Sequence, residues 1–406
     1  MTETDNIAAP LIAWIIEQGL HGVSREDILK GYCERLVQAG IPLLRFHVAQ
    51  RAFHPKFGGI GFSWTGAEGL SHQYFQRQET PIDAWLQSPF YRMLELGSEE
   101  FRSSFGAADM TDFPLMRDLS KTGATDYFAT RLMFGAPDDG ANDPNNPAEG
   151  MMVSWTSDQE GGFSDADLSL FRTLLPYLGL ALKSSSHRQM ASDLLQVYLG
   201  RDAGRRVLSG EIQRGSSQKI DAVICYFDLK GFTRLAEQLP GPDLIDMLND
   251  YFALAVATIQ GFGGNILKFM GDGILTMFDL GSVQEDAKAA LDAASELRTK
   301  IAERNIERAS AGLPVADFTL ALHAGEILYG NIGAENRLDF TVIGPTVNLT
   351  SRISGLHREV GQSIIVSEVV QRAAQPSPHD LVSLGRYMLR GVAEPIELYT
   401  IFDGAK

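Results

Sequence analysis

Two aspartates far apart in the chain stand where carboxylates can do chemistry. Asp228 ends the apolar run "AVICYFDL", and Asp272 sits in the turn of "NILKFMGDGILTMF". A pair of carboxylates at strand ends suits Mg²⁺, a hard cation that takes oxygen ligands and leaves positions for phosphate and water. Without a metal the two charges repel, and one tends to hold its proton. Taken singly, either aspartate reads as well as a strand terminator; only convergence favours a metal. Leu229 follows the first aspartate, and Gly231 opens a helix at "LKGFT". The first N–H groups there, at Gly231, Phe232 and Thr233, suit an anion, although a plain turn would use the same glycine. Lys268 occupies a position in the hairpin where Val or Thr would be ordinary. In "TVNLTSR", Asn348 and Arg352 are four apart and share a helix face. An asparagine can bond a sugar oxygen and an arginine suits phosphate; a solvated face is the alternative.

Elements must bring these residues together. From residue 220 the pattern reads as a buried strand, then a helix with Leu244, Met247, Leu248, Tyr251, Phe252, Ala255 and Ile259 on one face. The hairpin follows, then a helix over about 283–309, strands at "FTLALHAGEI" and "LDFTVIG", and a helix at "TVNLTSRISGLH". The order β-α-β-β-α-β predicts a ferredoxin-like unit. A right-handed crossover makes its first two strands parallel. The third strand, paired to the second in a hairpin, then lies between them. The end of the first strand is thereby placed beside the start of the third, which brings Asp228 to Asp272.

With these elements in place, "FDLKGFT", "KFMGDG", "FTVIGPTVNLTSR" and "LRG" at 389–391 resemble, in order and spacing, the class III nucleotidyl cyclases. The resemblance covers nearly all of the C-terminal half and implies residue roles. Asp228 and Asp272 match the metal-binding aspartates, and Leu229 the position offering a backbone carbonyl to one metal. Lys268 matches the purine-contacting lysine of adenylate cyclases and Thr341 its partner position, as in the subgroup that includes bicarbonate-responsive enzymes. Asn348 matches the ribose-orienting asparagine and Arg352 the transition-state arginine. Arg390 falls where a lysine commonly contacts the terminal phosphates. The resemblance implies two Mg²⁺ or Mn²⁺ ions per site, ATP as substrate, and a head-to-tail homodimer. Each site would take metals from one subunit and Lys, Thr, Asn and Arg from the other, so one chain alone should be inactive. A guanylate cyclase, which usually carries Glu at the lysine position, is the alternative. So is an inactive nucleotide-binding module, which would usually have lost a metal Asp or the Asn/Arg pair. "MGDG" does not fit the hairpin of a cyclic-di-nucleotide synthase.

The 406 residues predict more than one core. Residues 1–185 read as mixed α/β and resemble GAF- or PAS-like sensor domains at the level of pattern, with an unidentified small-molecule or protein signal. "APLIAWIIEQGL" reads as a helix, and "IPLLRFHVAQRAF", "GGIGFSWT" and "GMMVSWTS" as strands. Residues 137–150 read as a polar loop. "FSDADLSLFRTLLPYLGLALK" opens with a capping box of Ser164 and Asp167. Residues 186–219 read as a helical connector, packed on its own domain or paired between subunits, and 220–406 as the catalytic domain. Aromatics such as Trp64, Tyr74, Phe75, Trp85, Phe90 and Tyr91 fit a core or a small-molecule pocket. His21, His47, His54, His72 and His187 lack metal-ligand spacing. The net charge of −16 argues against non-specific nucleic-acid binding. No apolar run predicts a membrane span. The first ten residues do not read as a signal peptide, and two lone cysteines fit a reducing cytoplasm.

Overall fold

The computed structural model describes residues 3–51, 57–76, 83–105, 113–134 and 149–402. The polar segment 137–150, except its last two residues, and His54 lie outside these residues. The chain divides into two units, Met1–Leu194 and Leu195–Lys406.

The first unit is built on six antiparallel strands: β1 (Arg45–Arg51), β2 (Phe57–Thr65), β3 (Gly69–Gln76), β4 (Glu100–Ser104), β5 (Asp126–Met133) and β6 (Gly150–Ser157). Their order is β3-β2-β1-β6-β5-β4. Side chains alternate between faces, as the two-residue period requires. Phe46, Val48, Phe62, Val153 and Trp155 pack on one face against helices Glu3–His21, Arg25–Gln38 and Asp165–Leu199, through Ile15, Tyr32, Leu36, Phe171 and Leu178. Trp155 stacks on Phe171 with centroids 4.7 Å apart. The opposite face carries Tyr127 and Ala129 against helices Pro89–Glu95 and Pro114–Lys121.

The helix from Asp165 starts as the capping box predicts. Ser164 N–H donates to Asp167 Oδ2 at 2.8 Å, and Asp167 N–H donates back to Ser164 Oγ at 3.2 Å. Buried Asp126 anchors this end, accepting from Arg102 and from the Phe163 N–H. The helix then runs unbroken for 35 residues to Leu199, roughly 52 Å at 1.5 Å per residue. The connector is helical in two pieces. Its first part continues the helix from Asp165, Gly200 breaks it with φ 87°, and Arg201–Leu208 forms a second helix. A short irregular stretch leads into strand at Ser217.

The second unit has β7 (Ser217–Lys230), β8 (Asn265–Met270), β9 (Gly273–Phe278), β10 (Asp317–Ala334), β11 (Arg337–Ile343), β12 (Ile364–Ser367), β13 (Leu381–Tyr387) and β14 (Ile396–Ile401). The sheet order is β13-β14-β12-β10-β7-β9-β8, with β11 paired to β10. β9 pairs antiparallel with both β7 and β8, so the hairpin's second strand is the inner one. Helices Gly241–Gly261 and Val283–Ser310 complete the β-α-β-β-α-β order of a ferredoxin-like unit. They cover one face, burying Met247, Tyr251, Ala255, Leu291 and Leu297 against Val223, Cys225, Phe227 and Leu322. On the other face Ile327 and Tyr329 of β10 join Phe340 and Val342 of β11, Leu267 and Leu275 of the hairpin, and Ala203 of the short helix. β10 is longer than "FTLALHAGEI" suggests: it runs on through "LYGNIGA", and its extension carries β11 back across the hairpin. Among the described residues no helix is long and apolar enough to cross a membrane.

Candidate active site

β7 and the β8–β9 turn bring the two aspartates together. Asp228 stands opposite Gly273 in the register, and Leu229 N–H donates to the Asp272 carbonyl at 3.2 Å. The approach is close: a Cβ on Gly273 would lie 3.1 Å from Asp228 Oδ1 and 3.0 Å from the Phe227 carbonyl. Burial, with the Asp272 charge second, pushes the Asp228 carboxyl up to about 6; the Leu229 N–H offsets part of this. Both carboxylates also raise the pKa of Tyr226, after the larger effect of its own burial.

A cation relieves the repulsion in such a pair. Among the described residues no three His, Cys, Asp or Glu side chains group as a metal site, so protein carboxylates would supply only part of a coordination shell. That fits ions completed by substrate phosphate and water. The Leu229 side chain points into the core at 1% exposure, leaving only its backbone for a ligand. Gly231 is left-handed, with φ 78°, before the seven-residue helix Phe232–Gln238. Phe232 packs on the helical core while Thr233 is exposed, so this turn could offer an anion N–H groups and one hydroxyl.

A second group gathers where β11 crosses β8. Lys268 Nζ lies 3.2 Å from Asp339 Oδ2. Thr341, two residues further along β11, shares the face of Asp339; its hydroxyl is buried with no hydrogen-bond partner. Sequence reasoning does not single out Asp339. The signal available is an acid two residues before Thr341, but its meeting with Lys268 depends on how far β10 extends.

The helix Pro345–Ser354 presents Asn348 and Arg352 on an exposed face, while Thr346, Thr350 and Ile353 are buried. Thr346 Oγ1 donates to the Glu326 carbonyl at 2.8 Å, fixing the helix to β10. The turn between β13 and β14 holds Arg390, exposed, and lies against Arg352: a Cβ on Gly391 would sit 3.4 Å from Arg352 Nη1. The second unit thus carries an acidic pair at one strand end, a Lys–Asp–Thr group where β11 crosses the hairpin, and two guanidinium-bearing residues from adjacent segments.

Comparison with known proteins bears on this second unit. Residues 216–403 match the family model "Adenylate and Guanylate cyclase catalytic domain". An adenylate cyclase of Anabaena cylindrica is 31% identical over 193 residues, covering 47% of this chain and 38% of that protein. The chain thus spans well under half the length of that relative. Among solved structures, an adenylyl cyclase from P. aeruginosa is 25% identical with a TM-score of 0.43, covering 47% of this chain and 98% of that one. A guanylyl cyclase is 30% identical with a TM-score of 0.42, covering 46% and 93%. Residues 216–403 of this chain belong to the adenylate and guanylate cyclase catalytic domain family.

Proposed function

We propose that this chain is an adenylate cyclase, converting ATP to 3′,5′-cyclic AMP and pyrophosphate at sites shared by two head-to-tail copies. The observation that carries the reading is the meeting of Asp228 and Asp272 at one strand end, in a domain of this family, where burial and then repulsion by Asp272, offset only in part by the Leu229 N–H, raise the Asp228 carboxyl to about 6.

In this reading Asp228, Asp272 and the Leu229 carbonyl hold two Mg²⁺ or Mn²⁺ ions. Bound there, the ions supply charge that acidifies the ribose 3′-hydroxyl and binds the triphosphate. Asn348 of the other copy orients the ribose, so that the 3′-oxygen lies in line with the α-phosphorus. The hydroxyl proton passes to solvent, and the 3′-oxygen–phosphorus bond forms as the bond to the pyrophosphate oxygen breaks. Arg352 and Arg390 face the charge growing on the α-phosphoryl and the leaving group, and the turn at Gly231–Thr233 receives phosphate oxygens. Preorganised donors of this kind are typically worth on the order of 10²–10³ in rate.

Lys268 and Thr341 support adenine over guanine. An ammonium can donate to adenine N1, and a threonine hydroxyl can accept from the N6 amine. Guanine presents the reverse pattern. Asp339 holds the ammonium by an exposed ion pair, worth about 0–1 kcal/mol, so a base can compete for it.

The N-terminal unit is the regulatory half in this proposal, acting through the helix that ends at Leu199. The whole reading is tested by incubating purified protein with Mn²⁺ or Mg²⁺ and either ATP or GTP. Cyclic AMP from ATP is expected, with loss in Asp272→Ala. Cyclic GMP alone would make it a guanylate cyclase; no cyclic product from either, unaltered by Asp272→Ala, would leave a nucleotide-binding module.

A further inference from the structure

The face of the first unit's sheet that meets helices Pro89–Glu95 and Pro114–Lys121 has a polar floor inside an apolar layer. The register lays two rows across it. Arg45 stands opposite Thr156, and Thr156 opposite Tyr127. In the next row His47 stands between Ser63 and Ser154. Tyr127, Ser154 and Thr156 are each at most 1% exposed. Their three hydroxyls, and Nη1 of Arg45, have no hydrogen-bond partner. The Tyr127 and Ser154 hydroxyls are neighbours, but no aligned bond joins them. The bonds that do form are few: Arg45 Nη2 donates to Ser63 Oγ at 3.2 Å, and Ser63 Oγ meets His47 Nδ1 at 2.8 Å.

Buried polar groups in folded proteins are nearly always bonded. Arg45 is half-buried with its Nη1 shut off from solvent, and a guanidinium, charged at any ordinary pH, is costly to withdraw from water without an anion. No carboxylate pairs with Arg45 among the described residues. The buried Asp126 of the same sheet is committed to Arg102. His47, neutral because burial and then Arg45 lower its pKa to about 3, adds no charge. The floor therefore has three unpaired hydroxyls, each able to donate, and one positive charge with no carboxylate partner. Around it stand Phe90, stacked on His47 at 6.0 Å, and Trp85, Phe105 and Met116. Apolar walls with a few convergent polar groups are the usual form of a small-molecule site.

We propose that this face binds a small organic or inorganic anion, a carboxylate or a phosphate, held by Arg45 with Tyr127, Ser154 and Thr156. The anion accepts from Arg45 Nη1 and from the three hydroxyls, which completes every orphaned donor with one ligand. The proposal deepens the sensor reading of the N-terminal unit and uses none of the catalytic residues.

The test titrates the dialysed full-length chain in EDTA by calorimetry, with inorganic phosphate and separately with succinate, at fixed ionic strength. One of the two binds at a site that Arg45→Met weakens by about tenfold or more, the usual cost of losing a charged hydrogen bond. Thr156→Val, which keeps the volume, weakens the same site several-fold and guards against misfolding of the arginine variant. Lys183→Ala is the control: Lys183 lines a separate cleft of about 370 Å³ with Arg25, Gln50 and His187. Preference for succinate or phosphate separates the two anion classes. Binding of neither probe, binding unchanged in Arg45→Met, or binding lost only in Lys183→Ala would overturn the proposal.

Discussion

Lys268 is the residue on which base choice turns, and Asp339 of the same chain is its ion-pair partner. That pair is exposed on both sides, so it positions the ammonium without sequestering it. Lys268→Glu should lower kcat/KM for ATP by roughly 10–100-fold, the cost of one misplaced charged hydrogen bond, and raise the GTP-to-ATP ratio. Asp339→Asn should raise KM for ATP more than it lowers kcat, because it loosens a base contact far from the phosphorus. Steady-state kinetics with both nucleotides checks each variant. The meeting of Asp228 with Asp272 is legible in the sequence alone, since the handedness of the crossover and one hairpin dictate it. The meeting of Lys268 with Asp339 is not. It needs β10 to run on through Tyr329 and Gly330, whereas the strand read from the sequence stops at Ile327.

Elements set these positions, and one of them carries a pH dependence of its own. Asp286, in the first turn of the helix Val283–Ser310, accepts from the Leu280 N–H at 2.6 Å and is 1% exposed. Burial, with lesser help from Asp279 and Glu285, raises its carboxyl from 3.8 to about 6. The folded state thus binds this proton more tightly than the unfolded one between those two values. By linkage, the contribution of this group to stability falls as pH rises from about 4 to about 6 and is level above. Asp286→Asn keeps an acceptor for Leu280 and removes the ionisation. Denaturant midpoints should show the variant gaining on the wild type between about pH 4 and pH 7; an equal difference at both ends would refute the assignment. Gly200 is a second sensitive point. A Cβ there would fall 2.5 Å from the Ile266 carbonyl, next to the bulge between Ile266 and Lys268, and φ 87° is strained for alanine. Gly200→Ala should therefore impair ATP turnover without touching a site residue, with KM rising as Lys268 shifts. The break at Gly200 is hidden in the sequence by an apolar pattern that continues on both sides. The single helix through "SSSHRQ" is equally hidden, because those residues carry no apolar stripe.

At the scale of the whole molecule, two units have separate cores, while one helix crosses the residue boundary between them. Such continuity suits a regulatory half that acts through the connector. Removing residues 1–185 should then change the cyclase rate several-fold, read as cyclic AMP per chain; an unchanged rate and dimer affinity would remove that role. In the proposed reading each active site needs two copies, and mixing two inactive variants, Asp272→Ala and Arg352→Ala, tests this. If the aspartates serve one copy's half of the site and Arg352 the other's, each mixed dimer has one intact site. Equal mixing with free exchange should then restore about a quarter of the wild-type rate, as expected for a two-fold symmetric dimer. A mixture that stays as inactive as its components, although mixed dimers form, would contradict the account.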